Sequence, residues 1–310
     1  MTAWLLSALG LAILLVAGDA LVRGAVNLAL RVGIPALIVS LTVVAFGTSA
    51  PELLISVKAV LDNAPGIAFG NVVGSNIANI LLVLGLPAIM ATLHTSHHDT
   101  RRSYFQMLGA TVLFIALAWW GTLTRVSGLI LLAALAVILF TMIREAMAHR
   151  AAETDEPEGA DPNMRGWKIA AFLAVGLAGL PCGASLLVSN ATIIARDLGI
   201  SEAVIGLTLV AVGTSLPELA TTVMAALRRQ ADVALGNVIG SNFFNLLAII
   251  GLATQFGPIP TGPEFDLDLA VMMASALVLI PFVLLRQDIT RTWGIVLTLL
   301  YLAYLVAILV

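Results

Sequence analysis

The sequence predicts an all-α polytopic membrane protein, with about ten transmembrane helices arranged as two inverted five-helix repeats. Three observations carry this. Hydrophobic residues make up 60% of the 310 residues and charged residues only 11%, with mean hydropathy +1.05. A soluble domain carries about 25% charged residues, so lipid must be the solvent here. The apolar residues fall into runs of roughly 20, the length that crosses a bilayer. And one polar phrase occurs twice, at a constant offset of 166 residues.

Taken in order, the apolar runs place spans at 3–22, 36–60, 66–92, 104–120, 126–147, 167–195, 203–227, 232–255, 268–285 and 292–309. The first run, Ala3 to Val22, reads as a span and not as a cleaved leader, because no polar mature region follows it. Polar joints separate the runs, among them Asp62-Asn63-Ala64-Pro65, His97-His98-Asp99-Thr100-Arg101-Arg102, Arg228-Arg229-Gln230 and Arg286-Gln287-Asp288. The longest joint, 150–165, holds Glu153, Asp155, Glu156, Glu158 and Asp161 and reads as a solvated linker. It divides the chain into a first repeat at 1–149 and a second at 166–310.

Five spans per repeat is an odd number. Two tandem copies must therefore enter the membrane from opposite sides, which is the inverted-repeat plan of many secondary transporters. The repeat extends beyond the polar phrase, because Gly33-Ile34 matches Gly199-Ile200 and Leu41-Thr42 matches Leu207-Thr208. Orientation follows from the Lys and Arg residues. Twelve of the fifteen fall on one face (Arg23, Arg31, Arg101, Arg102, Arg144, Arg150, Arg165, Lys168, Arg228, Arg229, Arg286 and Arg291), against Lys58, Arg125 and Arg196 on the other. The rich face should be cytoplasmic, with the linker inside and both termini outside. The net charge of −3 adds little. One cysteine, Cys182, excludes a disulfide framework and reads as a packed small residue.

The repeated phrase carries the chemistry. The first copy is Gly47-Thr48-Ser49-Ala50-Pro51-Glu52, followed by Gly70-Asn71-Val72-Val73-Gly74-Ser75-Asn76-Ile77-Ala78-Asn79. The second is Gly213-Thr214-Ser215-Leu216-Pro217-Glu218, followed by Gly236-Asn237-Val238-Ile239-Gly240-Ser241-Asn242-Phe243-Phe244-Asn245. A carboxylate in hydrocarbon costs at least ~2.5 kcal/mol, so an intramembrane Glu marks a functional site by default. Thr48 and Glu52 are four apart, as are Ser75 and Asn79, a spacing that shares a helix face. Pro51 lacks an amide hydrogen and clashes with the carbonyl at Gly47, so nearby carbonyls can turn out of the helix ladder. Irregular backbone at membrane depth is tolerated where it lines a cavity or is buried in protein.

The donors on offer are two carboxylates, several hydroxyls, two or more amides and freed carbonyls, all of them oxygen. His94, His97, His98 and His149 sit in or near joints. Such a shell suits Ca²⁺, and a subset of it suits Na⁺. Two glutamates match one divalent charge. Without a cation, two like charges in low dielectric cannot both stay ionised, so an emptied site must take up protons or other cations, a coupling that an antiporter uses.

Other polar features read differently. Gly70 with Gly74, and Gly236 with Gly240, have a spacing that lets helices approach closely. Asn71, Asn76, Asn237 and Asn242 read as interhelical hydrogen-bonders or caps of broken helices. Asn79 and Asn245 fall one turn beyond Ser75 and Ser241 and read as ligands. Asp19 with Arg23 reads as a surface ion pair. The joint at 94–98 reads as a solvated loop, with metal binding or pH sensing as its alternative.

The two motif pairs resemble the α-repeats of the calcium/cation antiporter superfamily, and within it the prokaryotic sodium/calcium exchanger branch. Proton-coupled members usually carry Gly-Asn-Ala-x-Glu where this chain has Gly-Thr-Ser-x-Pro-Glu. The resemblance implies mid-membrane cation sites in which Glu52 and Glu218 hold Ca²⁺. Thr48, Ser49, Ser75, Asn79, Thr214, Ser215 and Ser241 would share Ca²⁺ and Na⁺ duty, with the carbonyls of Ala45 and Ala211 completing the shell. Asn245 stands where some members have Asp, which puts the stoichiometry in doubt. The resemblance further implies that the first and sixth spans slide together against the rest.

The function expected is therefore Ca²⁺/Na⁺ antiport by alternating access, in the inner membrane of a bacterium or archaeon, without a cofactor and without enzymatic chemistry. A Ca²⁺/H⁺ antiporter is the alternative, and a cation channel a further one. An intramembrane hydrolase is disfavoured, since the span interiors lack Ser–His or paired-Asp chemistry.

Overall fold

The computed structural model describes residues 2–95, 100–149, 161–199 and 211–309. The described chain is almost entirely helical. In order, the helices are α1 (Thr2–Val32), α2 (Ala36–Thr48), α3 (Ala50–Leu61), α4 (Pro65–Met90), α5 (Arg101–Trp119) and α6 (Arg125–His149) in the first half. The second half holds α7 (Gly166–Asp197), α8 (Ala211–Thr214), α9 (Leu216–Leu227), α10 (Ala231–Phe256), α11 (Pro263–Leu284) and α12 (Arg291–Leu309).

Seven of these helices are long and apolar enough to cross a membrane, and the bent pair α2–α3 makes eight. The other two expected spans correspond to α5, which has 19 residues, and to α8–α9, whose upstream stretch 203–210 lies outside the described residues. Exposed Trp4, Trp119, Trp120 and Trp167 lie near helix ends, where indole rings anchor at the membrane interface.

Burial grades the helices. The most apolar 18-residue stretch of α10 is 100% buried and that of α4 78%, against 17% for α6. The helices carrying the Gly-Asn-x-x-Gly-Ser-Asn phrase are thus the centre of the bundle. A helix hydrophobic on all sides can be central because neighbours, not lipid, surround it.

The repeat is visible in backbone torsions. Ser49 has φ −83° and ψ 6°, and Ser215 has φ −85° and ψ 5°. Gly33 (φ 73°) matches Gly199 (φ 78°), and Asn63 (φ 59°) matches Arg229 (φ 58°). Each pair is 166 residues apart. Left-handed torsions are costly for non-glycine residues, Asn being among the most tolerant, so their recurrence at Asn63 and Arg229 shows one turn used twice. The same five-back hydrogen bond closes both turns, Ala64 N–H to the Ala59 carbonyl and Gln230 N–H to the Ala225 carbonyl, each 2.8 Å.

Two small clasps join the halves. Leu93 pairs with Ile289, and Leu123 with Ile259, each as an isolated antiparallel bridge. Because α5 runs from one clasp to the other, they sit at opposite ends of the bundle. The 166-residue offset exchanges them. Thr95 donates to the Gln287 carbonyl (2.6 Å), and its counterpart Thr261 donates to the Gly121 carbonyl (2.5 Å).

By contrast, α1 and α7 pack through glycines. A Cβ at Gly10 would lie 2.7 Å from the Leu187 nitrogen, and one at Gly183 would lie 2.9 Å from the Leu14 nitrogen. Gly176 meets Leu21 in the same way. Two long helices therefore touch backbone to backbone, with few side chains interlocked between them.

Several expectations need correction. The first span extends ten residues past Val22, because Asp19 is neutralised by Arg23 (3.0 Å) and also by Arg228. The expected Asp19–Arg23 pair is therefore part of a three-residue cluster tying α1 to the end of α9. Cys182 is exposed on the outer surface of α7, not packed. Its neighbour Gly183 takes the packed position against α1. The glycine spacing works in the second half, where Gly236 meets Ser40 and Gly240 meets Ala45. In the first half, no described atom lies within 4 Å of a Cβ at Gly70 or Gly74. His94 is an exposed partner of Asp288 (2.9 Å). His97, His98, Arg150, Leu207-Thr208 and the acidic residues 153–158 also lie outside the described residues.

Candidate functional site

Each Glu sits just past a break. α2 and α3 form one span bent by 44° at Ser49. The proline two residues later has no amide to continue the ladder, so the helix restarts at Ala50, and Glu52 lies in its first turn. Thr48 and Glu52 therefore belong to two helix segments and do not share one helical face. The second half repeats this with Thr214, Ser215, Pro217 and Glu218. The partial positive charge of a fresh helix N-terminus favours a carboxylate there. Gly47 and Gly213 flank the breaks and are covered by Leu177 and Val188 of α7, where any Cβ would collide at 2.0 and 2.6 Å.

The second motif ends in another irregularity. Asn79 opens a π-helical turn, Asn79–Val83, and Asn245 lies in a second one, Phe244–Ile249. A third, Ser40–Val44, precedes Ala45. Such wide turns are rare and cluster at functional sites. The sequence reading missed all three, and no residue pattern in it signals them.

These irregularities bring the two halves together. Ser49 of the first half donates to Glu218 Oε1 of the second (3.0 Å), and Ser241 donates to the same oxygen (3.4 Å). Thr48 donates to Asn237 Oδ1 (3.3 Å) and to the Ala45 carbonyl (3.2 Å). Asn79 Nδ2 donates to Asn242 Oδ1 across the halves (3.1 Å). Both carboxylates are fully buried, and among the described residues no basic side chain pairs with either.

Asn71 and Asn237 have a supporting role. Asn71 Nδ2 bonds the Glu52 carbonyl (3.4 Å) and Ser56 Oγ (3.0 Å). Asn237 Nδ2 bonds the Glu218 carbonyl (3.2 Å) and Thr222 Oγ1 (3.1 Å). Each thus fixes the backbone of the glutamate in its own half. Ser56 and Thr222 escaped the sequence reading, although their 166-residue offset could have exposed them.

Nine buried polar side-chain atoms have no hydrogen-bond partner among the described residues. Apart from Ser7 Oγ and Gln106 Oε1, all belong to the motifs: both Glu52 oxygens, Glu218 Oε2, Asn79 Oδ1, Ser215 Oγ, and both ends of the Asn245 amide. An unpaired buried polar atom costs about 1–3 kcal/mol, so seven in one region need a partner of another kind. Six of the seven are oxygens, the donor set of a hard cation. Among the described residues no cluster of three or more His, Cys, Asp or Glu occurs. Ser75, Thr214 and Ser241 are also buried, and Ala211 opens α8.

A cavity of about 240 Å³ reaches both breaks, lined by Pro51, Ser185, Ser189, Gly213, Thr214 and Pro217. A second cavity, of about 970 Å³, reaches Gly47 and Ala50 but has only Thr42 as a polar side chain and holds no carboxylate.

Two inverted halves meeting at buried, unpartnered oxygens define an inverted-repeat membrane transporter. The chain belongs to the sodium/calcium exchanger protein family, which matches residues 2–144 and 168–310. It is 35% identical over 303 residues to the putative antiporter CaxA of Alkalimonas amylolytica, covering 95% of each chain. It is 34% identical to the sodium/calcium exchanger MaX1 of Methanosarcina acetivorans, covering 98% of each. It is also 36% identical to the inner membrane protein YrbG of Escherichia coli, covering 87% of this chain and 85% of the relative. Among solved structures it resembles the sodium-calcium exchanger NCX_Mj soaked with Na⁺ and Sr²⁺, with a TM-score of 0.84, 32% identity, and coverage of 99% and 98%.

Proposed function

We propose that this chain is a secondary antiporter that exchanges Ca²⁺ for Na⁺ by alternating access. The observation that carries this is the set of buried, unpartnered carboxylate oxygens, both of Glu52 and Oε2 of Glu218, with no basic side chain pairing with them among the described residues. The named relatives and the family support the choice of ions.

In this reading Glu52 and Glu218 hold Ca²⁺. Thr48, Ser49, Ser75, Asn79, Thr214, Ser215, Ser241 and Asn245 supply neutral oxygens, together with the carbonyls of Ala45 and Ala211. Ca²⁺ and Na⁺ compete because they share the carboxylates. Sodium moving down its gradient fills the cage and displaces calcium, which leaves when the cage faces the other side. The repeats are assigned to 1–149 and 166–310, with 150–165 as a cytoplasmic linker and both termini outside. On that orientation α7 runs outward, and the cavity beside Ser185 and Ser189 is the outer route to Thr214.

Calcium uptake into proteoliposomes, with Na⁺, K⁺ and H⁺ gradients applied separately, tests the proposal. Uptake should follow the sodium gradient and vanish in Glu52→Gln vesicles. Uptake driven by a pH step in sodium-free buffer would instead establish proton coupling. Single-channel currents in planar bilayers would establish a pore.

A further inference from the structure

Asn79 and Asn245 occupy equivalent positions, 166 residues apart, yet their amides are held differently. Asn79 Nδ2 is engaged by Asn242 Oδ1 at 3.1 Å. Asn242 is itself oriented, because its Nδ2 donates to the Asn76 carbonyl (3.5 Å) and to Met107 Sδ (3.7 Å). A main-chain carbonyl only accepts, so it fixes which end of the Asn242 amide carries the hydrogens. The oxygen then faces Asn79 and takes its amino group. Asn79 Oδ1 is left pointing elsewhere, buried and without a hydrogen-bond donor.

The other half lacks this chain of bonds. Asn76, the counterpart of Asn242, turns back on its own helix and donates to the Val72 carbonyl (2.7 Å). Among the described residues, neither end of the Asn245 amide is engaged. The repeat is therefore symmetric in sequence and asymmetric in hydrogen bonding at this point.

We propose that Asn242 is a positioning residue that latches the Asn79 amide, committing its oxygen to the transported cation. Asn245 is unlatched, so its amide is free to turn and its oxygen is not committed in advance. Asn79 is thus a preset ligand and Asn245 an adjustable one. Fixing a ligand beforehand removes an ordering cost from each binding event. The mechanism rests on reading the motif as a cation site.

A pair of double-mutant cycles in proteoliposomes tests it, reading the half-saturating cation concentration and the maximal rate separately. Asn242→Leu should raise the half-saturating calcium concentration about tenfold, the scale of one lost charge-assisted contact, and leave the maximal rate within about twofold. Asn79→Ala should do the same. The double variant should be no worse than Asn79→Ala, because one residue acts through the other. In the mirrored cycle, Asn76→Leu and Asn245→Ala should act additively. Full additivity in the first cycle, or equal coupling in both, overturns the latch.

Asn242→Ala provides a second variant should the leucine fail to elute as a single species. Cation-induced thermal stabilisation of the purified chain, measured with Na⁺, K⁺, Ca²⁺, Sr²⁺ and Mn²⁺, separates the two proposals. If neither calcium nor sodium stabilises the wild type but another of these cations does, the exchange reading fails, and the cycles are run as stabilisation measurements with that cation. If none stabilises it, both proposals fail.

Discussion

Ser49 Oγ lies 3.0 Å from Glu218 Oε1, so a hydroxyl from the first repeat is hydrogen-bonded to the carboxylate of the second. The mirrored bond does not form. Among the described residues, Ser215 Oγ and both Glu52 oxygens lack hydrogen-bond partners. Glu218 thus has one oxygen satisfied twice, by Ser49 and Ser241, while Glu52 has none. The two glutamates are therefore anchored differently, and the donor to Glu218 should matter less than either carboxylate.

Substitution should expose that difference. Glu52→Gln removes two uncommitted oxygens' worth of charge and should abolish sodium-driven calcium flux. Ser49→Ala removes only a donor to Glu218 and should weaken calcium binding by about tenfold or less, the worth of one hydrogen bond to a charged group. Flux assays at varied calcium check the ranking. A Ser49→Ala defect as severe as that of Glu52→Gln would contradict it.

The break at Ser49 depends on Pro51. Pro51→Ala restores an amide and allows α2 and α3 to run on. The folded protein should change in stability by no more than about 1 kcal/mol, as such backbone substitutions do. Exchange should fall about tenfold or more, because a straightened helix moves Thr48 relative to Glu52 and ligand misplacement of this kind is costly. Thermal unfolding measured beside flux separates the two effects.

The glycine-lined contact between α1 and α7 is the natural sliding surface. Gly183→Val would drive side-chain atoms into the backbone at Leu14, which a Cβ alone already approaches to 2.9 Å. Overpacking of this kind costs about 1–3 kcal/mol. The maximal exchange rate should drop severalfold, while cation-induced thermal stabilisation persists. Unchanged turnover would show that these helices need not slide closely past each other.

Asn245→Asp places a third carboxylate beside the unpartnered pair. It should tighten calcium binding relative to sodium and add an acid-inhibited limb to the pH profile of exchange, since a proton can then compete at that position. Paired titrations at several pH values check both effects. A profile identical to that of the wild type would place residue 245 outside the site.

Much of this was legible in the sequence. The offset of 166 exposed the paired proline–glutamate motifs, because proline and glycine act locally and repeat faithfully, but the spacing placed Thr48 and Glu52 on one helix face, which the break at Ser49 divides. The π-helical turns at Asn79 and Phe244 were not legible, since wide turns answer to packing and carry no residue signature. The sharing of Asp19 with Arg228, 209 residues away, depends on the tertiary approach of α1 to α9. The exposure of Cys182 was misread because an apolar stretch looks alike whether it faces lipid or protein. The asymmetry between Asn242 and Asn76 was hidden for a related reason, because identical residues in a repeat can choose different partners once the halves dock.

Calorimetric titration of calcium into the purified chain, alone and with sodium present, tests most directly whether Glu52 and Glu218 hold one cation jointly. The expected result is one calcium per chain, displaced by sodium, with binding lost in Glu52→Gln and equally lost in Glu218→Gln. Wild-type calcium affinity in either single variant, or two independent calcium ions per chain, would contradict a shared site.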